Sequence, residues 1–178
     1  NSIASGANSS AFGTEANAFN RMATAVGRQA QAIGVEATAL GSVSKATGFR
    51  ATAIGTVSKA SANNATAIGA QSSALGNYSG AFGTEANASG LASMALGAGS
   101  IANATGAITL GVNSIASGAN SSAIGTEAKA TGGDSTSIGK GSIATQQGST
   151  AIGHVASATA IRTTAIGTGS KASAQCAL

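Results

Sequence analysis

The sequence has no proline, no tryptophan, one cysteine and one histidine, and only 3% of its residues are aromatic and 8% charged. Without proline, or glycine at every third position, it is no collagen-like triple helix. The single Cys176 cannot close an internal disulfide, and no cysteine–histidine cluster has metal-site spacing. No uninterrupted run of 18 or more apolar residues reads as a membrane-spanning helix, so no membrane contact is expected of this segment. Nine Lys and Arg against five acids leave a net charge of +4, too sparse for a nucleic-acid groove. The 43% hydrophobic fraction is mostly alanine, which argues against a core of large side chains. Intrinsic disorder is also a poor match, because disordered chains are usually charged and rich in proline. An enzyme and a bound cofactor are not expected.

What is present is a repeat. An aliphatic or Phe residue followed by glycine recurs every 14 residues, twelve times without insertion: Phe12, Val26, Leu40, Ile54, Ile68, Phe82, Leu96, Leu110, Ile124, Ile138, Ile152 and Ile166. Five residues after each glycine stands alanine: Ala18, Ala32, Ala46, Ala60, Ala74, Ala88, Ala102, Ala116, Ala130, Ala144, Ala158 and Ala172. The octapeptide Ala11–Ala18 recurs unchanged at Ala81–Ala88, and Asn1–Ala11 recurs at Asn113–Ala123. Residues 1–178 therefore read as one array of about 12.7 coils, expected to be a fragment of a longer protein because it begins and ends within a repeat.

Each unit divides into two halves of seven. One reads small-x-Ala-aliphatic-Gly, as in Ala51–Gly55, and the other reads small-x-Ala-x-Gly, as in Ser44–Gly48. A heptad could mean a coiled coil, but glycine in nearly every heptad costs a helix about 1 kcal/mol each time. The alternation within each half is two-fold, the strand period. Five-residue strands joined by two-residue turns give an all-β, narrow parallel β-roll, a β-solenoid with two short strands per 14-residue coil. At about 4.8 Å per coil, the array would extend for about 60 Å.

Both halves share the alanine positions, which therefore face the roll interior, where only small side chains fit. The intervening positions face outward. In the second half they include Lys45, Lys59, Lys129 and Lys171, read as a solvent face; in the first half they carry a column of aliphatics. Burying one such side chain is worth roughly 1.5–3 kcal/mol, so the column is expected to pack against other copies of the chain around a rotation axis. The competing arrangement places the aliphatics inside a wider roll and the small residues outside.

These repeats, among them Ala65–Gly69, Ala95–Ser100 and Thr164–Ser170, resemble the head of trimeric autotransporter adhesins, the YadA-like family of Gram-negative surface proteins. The resemblance covers essentially the whole chain. It implies a left-handed β-roll and a homotrimer whose interface is the aliphatic column. It implies cell adhesion and virulence: attachment to host extracellular matrix proteins or cell-surface glycans, and self-association between cells. It also implies display at the bacterial cell surface, anchored in the outer membrane through a C-terminal region. The chain departs from the family pattern in often having Thr two residues before the aliphatic.

Few residues could carry chemistry. His154 follows a repeat glycine and belongs in a solvated turn; Asp134 is the only aspartate. Glu15, Glu85 and Glu127 share one turn position at intervals of five and three coils, too far apart for a carboxylate pair. Cys176 has no partner in the sequence. A weakly basic face of Lys45, Arg50, Lys59, Lys129 and Lys171 is the candidate ligand-binding surface, where several weak contacts would add through avidity. Two other readings stand: an ice-binding solenoid, from the row Thr24, Thr38, Thr52 and Thr66, and a structural spacer that binds nothing.

Overall fold

A computed structural model describes residues 1–174, which are built from short parallel strands and turns, with no helix among them. The chain divides into two compact units, Asn1–Ser89 and Gly90–Leu178. The first runs from β1 (Ile3–Ala4) to β13 (Asn87–Ala88); the second runs from β14 (Met94–Leu96) to β25 (Lys171–Ala172). Within each unit alternate strands belong to two different sheets, so each 14-residue coil contributes one strand to each.

The register follows the repeat. In the first unit β6 (Thr38–Leu40) lies parallel to β8 (Thr52–Ile54), with Thr38 opposite Thr52, Ala39 opposite Ala53 and Leu40 opposite Ile54. On the other sheet β7 (Lys45–Ala46) lies parallel to β9 (Lys59–Ala60), with Lys45 opposite Lys59. Backbone hydrogen bonds tie each coil to the next, as in Lys45 N to Ser58 O and Gly55 N to Leu40 O, both 2.8 Å. A parallel β-solenoid results in each unit.

The strands are three residues long in the aliphatic half and two in the other, not five. The reason is that the outer residues of each half also close the turns: Ser44 N donates to Gly41 O at 3.3 Å, and Ala51 N to Gly48 O at 3.2 Å. Every seventh residue from Asn8 to Gly169 has a positive φ between 49° and 66°. These are the third residues of the four-residue turns, two turns per coil. The repeat glycines need a different conformation: Gly13 has φ 123°, and a Cβ there would stand 2.8 Å from the Gly27 carbonyl carbon. Any side chain would be strained and would push neighbouring coils apart.

The interior is made of small side chains. Ala18 and its equivalents at 14-residue steps to Ala172 are shut off from solvent, and every buried hydrophobic side chain among the described residues is alanine. Serine fills the same space at several coils, and at many of them its hydroxyl finds a carbonyl. The Oγ atoms of Ser44, Ser58 and Ser72 donate to Gly41, Gly55 and Gly69 O at 2.8–2.9 Å.

Candidate functional site

The outward residues form columns because successive coils are in register. In the first unit Phe12, Val26, Leu40, Ile54, Ile68 and Phe82 stand along one sheet, and none is buried. In the second unit Leu96, Leu110, Ile124, Ile138, Ile152 and Ile166 do the same. Their exposure reaches 64% at Phe12 and 68% at Ile166. Beside the column in the first unit, Thr24, Thr38, Thr52 and Thr66 line up half-buried, and the row ends at Gly80.

The opposite sheet is not the uniformly polar face read from its lysines. Its outward positions also hold the exposed Phe19 and Leu75 and the half-buried Ile33, Ile101, Ile115 and Ile143. Ile101, Ile115 and Ile143 occupy the same repeat position as the lysines, and Phe19, Ile33 and Leu75 follow the invariant alanine, so the repeat itself signals them. Lys45 and Lys59 are exposed neighbours in the first unit. In the second unit Lys129 pairs in register with Ile115 and Ile143, and Lys171 lies two coils beyond Ile143. The lysines are thus scattered and do not form one patch. Shallow grooves run between this sheet and its turns. One of about 430 Å³ is lined by Glu15, Asn17, Gln29, Gln31, Val43 and Lys45. Within it Gln29 Nε2 donates to Glu15 Oε2 at 2.7 Å.

Arg50 does not stand with the lysines. It belongs to the turn that closes the other edge of the coil, together with Arg21 and Glu36 at neighbouring levels of the first unit. Register brings the three together: Arg50 Nε donates to Glu36 Oε2 at 2.7 Å, and Arg21 Nη2 to Glu36 Oε1 at 3.2 Å. The Arg50 hydrogen bond, helped by the charges of Arg50 and Arg21, holds the Glu36 carboxyl below the usual carboxylate range. The Arg50 guanidinium also lies over the Phe49 ring, 4.8 Å from its centroid. The sequence contains both arginines and the glutamate, but their meeting depends on which turn each occupies.

The remaining candidates lie apart. His154 is exposed in its turn, and Asp134 accepts a hydrogen bond from Asn120 Nδ2 at 3.3 Å. Glu15, Glu85 and Glu127 occupy separate exposed turns. Among the described residues no three of His, Cys, Asp or Glu converge. Cys176 lies outside the described residues.

A family model described as the YadA head domain repeat matches along the chain. It matches residues 1–20, 21–44 and 46–72, then 60–86, 74–100, 88–114, 102–128, 116–142, 130–156, 144–170 and 158–175. Among solved structures, the chain is similar to the collagen-binding domain of the Yersinia adhesin YadA, at 30% identity with a TM-score of 0.53. That similarity covers 71% of this chain and 63% of the Yersinia domain, so the chain spans a little under two thirds of its relative. No curated protein sequence matches.

Proposed function

The chain belongs to the YadA head family, and from that premise we propose that it is the binding head of a bacterial surface adhesin that attaches to extracellular matrix protein, collagen first among them. The observation that carries this reading is the run of head repeats along the chain, in register within each unit and similar to a collagen-binding relative. The head acts as a homotrimer and works by binding. In each unit six outward aliphatic or Phe side chains form a column too apolar to face water in a monomer. Three columns meeting around an axis would remove them from water, leaving the opposite sheets outward to meet ligand. Weak contacts repeated on three protomers then give useful avidity. Attachment to host cells and self-association between bacteria belong to the same reading, as does display at the cell surface.

Two measurements on the purified chain test this. Light scattering should give three times the 16.6 kDa protomer mass, and immobilised fibrillar collagen should retain the trimer. A trimer that leaves collagen and other matrix proteins unbound would remove the adhesive reading and leave a spacer. Ice binding is a second reading, favoured by the in-register row Thr24, Thr38, Thr52 and Thr66. It needs that face open to water, so a stable monomer with thermal hysteresis would favour it over attachment.

A further inference from the structure

The cluster of Arg21, Glu36, Phe49 and Arg50 has bonding capacity that the chain leaves unused. Glu36 spends one carboxylate oxygen on each arginine. Arg50 reaches it through Nε, so both terminal nitrogens of its guanidinium have no acceptor among the described residues. Those two nitrogens form a planar fork matched to the two oxygens of a carboxylate. Two contacts hold the fork in place before any ligand arrives: the Glu36 bond along one edge and the Phe49 ring beneath its face. The arginine side chains are 60% and 59% exposed, so a ligand can reach them.

Apolar side chains are exposed along the same column of turns, Phe49 against the fork and Met22 two coils away. Phe49, in the same turn as Arg50, and Met22, in the same turn as Arg21, are both exposed. Every aromatic residue of the chain lies in this first unit: Phe12, Phe19, Phe49, Tyr78 and Phe82. Arginine, aromatic and methionine side chains at one exposed edge match the composition of protein-recognition sites. The charge balance narrows the partner further. Two arginines against Glu36 leave a single net positive charge, enough for one carboxylate. A polyanion needs a longer run of cations.

We propose that the Arg50 fork, braced by Glu36 and Phe49, receives one aspartate or glutamate carboxylate from a protein ligand, while the exposed Phe49 covers an apolar side chain beside it. This inference rests on the matrix-attachment reading and names what the head recognises in its partner: an acidic residue next to an apolar one on an extended protein segment. Arg21 is a positioning residue that shares Glu36 and keeps it turned toward Arg50.

The test uses the purified trimer and two triple-helical peptides built on Gly-Pro-hydroxyproline triplets. One carries central Phe and Glu residues, and the other has Gln in place of Glu. The trimer should bind the Glu peptide about tenfold more tightly, the worth of one charge-assisted hydrogen-bonded contact. Arg50→Gln should abolish that preference, and so should Arg50→Lys, which keeps the charge and loses the fork. Lys140→Gln, at an exposed lysine of the second unit, should keep it. Trimer mass and circular dichroism confirm that each variant is folded. Equal binding of the two peptides by the unaltered trimer, or a preference surviving in Arg50→Gln, overturns the proposal. If fibrillar collagen is still bound in that case, only the carboxylate site falls. If neither peptide nor fibrillar collagen is bound, the matrix reading falls and this one goes with it. Binding of a heparin fragment in place of the peptides would assign the arginines to a polyanion and overturn the proposal as well.

Discussion

Ser121 and Ser135 hold the interior position that alanine holds at Ala23, Ala37, Ala51 and Ala65, and their buried hydroxyls have no hydrogen-bond partner among the described residues. An unsatisfied buried hydroxyl costs about 1–3 kcal/mol. Ser121→Ala should therefore raise stability by about 1 kcal/mol, seen as a higher denaturant midpoint at unchanged slope. Ser44→Ala is the control: its hydroxyl bonds Gly41 O, so its loss should bring no gain. The turns show where residue-level reading stops. The left-handed position at every seventh residue prefers glycine or asparagine, yet it holds Met22, Val43, Glu85 and Val57. Nothing in those identities announces a positive φ. The in-register pull of neighbouring coils imposes it.

At the scale of the strand, the two-residue alternation sorts side chains between a narrow interior and an open outside. Ala46, at the end of β7, is fully buried with equivalent alanines in register on adjacent coils. Ala46→Leu has no free space to enter, and overpacking costs about 1–3 kcal/mol even where a core can adjust. We expect a loss at the upper end of that range, measured by thermal denaturation, because the backbone hydrogen bonds between coils resist spreading. Lys45→Leu, one residue earlier and outward-facing, should change stability far less. The alternation was legible in the sequence from the invariant alanines. The strand lengths were not, because the residues that end each strand also close a turn and nothing in their identity separates the two duties.

At the scale of the molecule, the proposed assembly rests on the outward column of each unit. Ile54 and Ile68 lie in register within the first-unit column. Replacing both with aspartate would bring charges into the face that the proposed trimer buries, where each uncompensated carboxylate is costly. The double variant Ile54→Asp with Ile68→Asp should elute and scatter at the 16.6 kDa protomer mass while keeping its β-sheet circular dichroism. An unchanged trimer mass would place the interface elsewhere. Because both positions already face outward, the monomer's own fold gives no reason for the change to unfold it.

The sequence alone determined the period, the parallel register and the division into small and aliphatic positions, because each depends only on spacing. Fourteen residues per turn of chain and two-fold alternation leave a strand almost no other way to stack. Tertiary structure decided which distant side chains meet. It placed the Arg50 guanidinium on Phe49 and on Glu36, and kept Arg50 apart from the lysines it was grouped with by charge. That outcome turns on which of two edges a turn occupies and on the left-handed geometry at its third residue. Composition and charge carry no record of either.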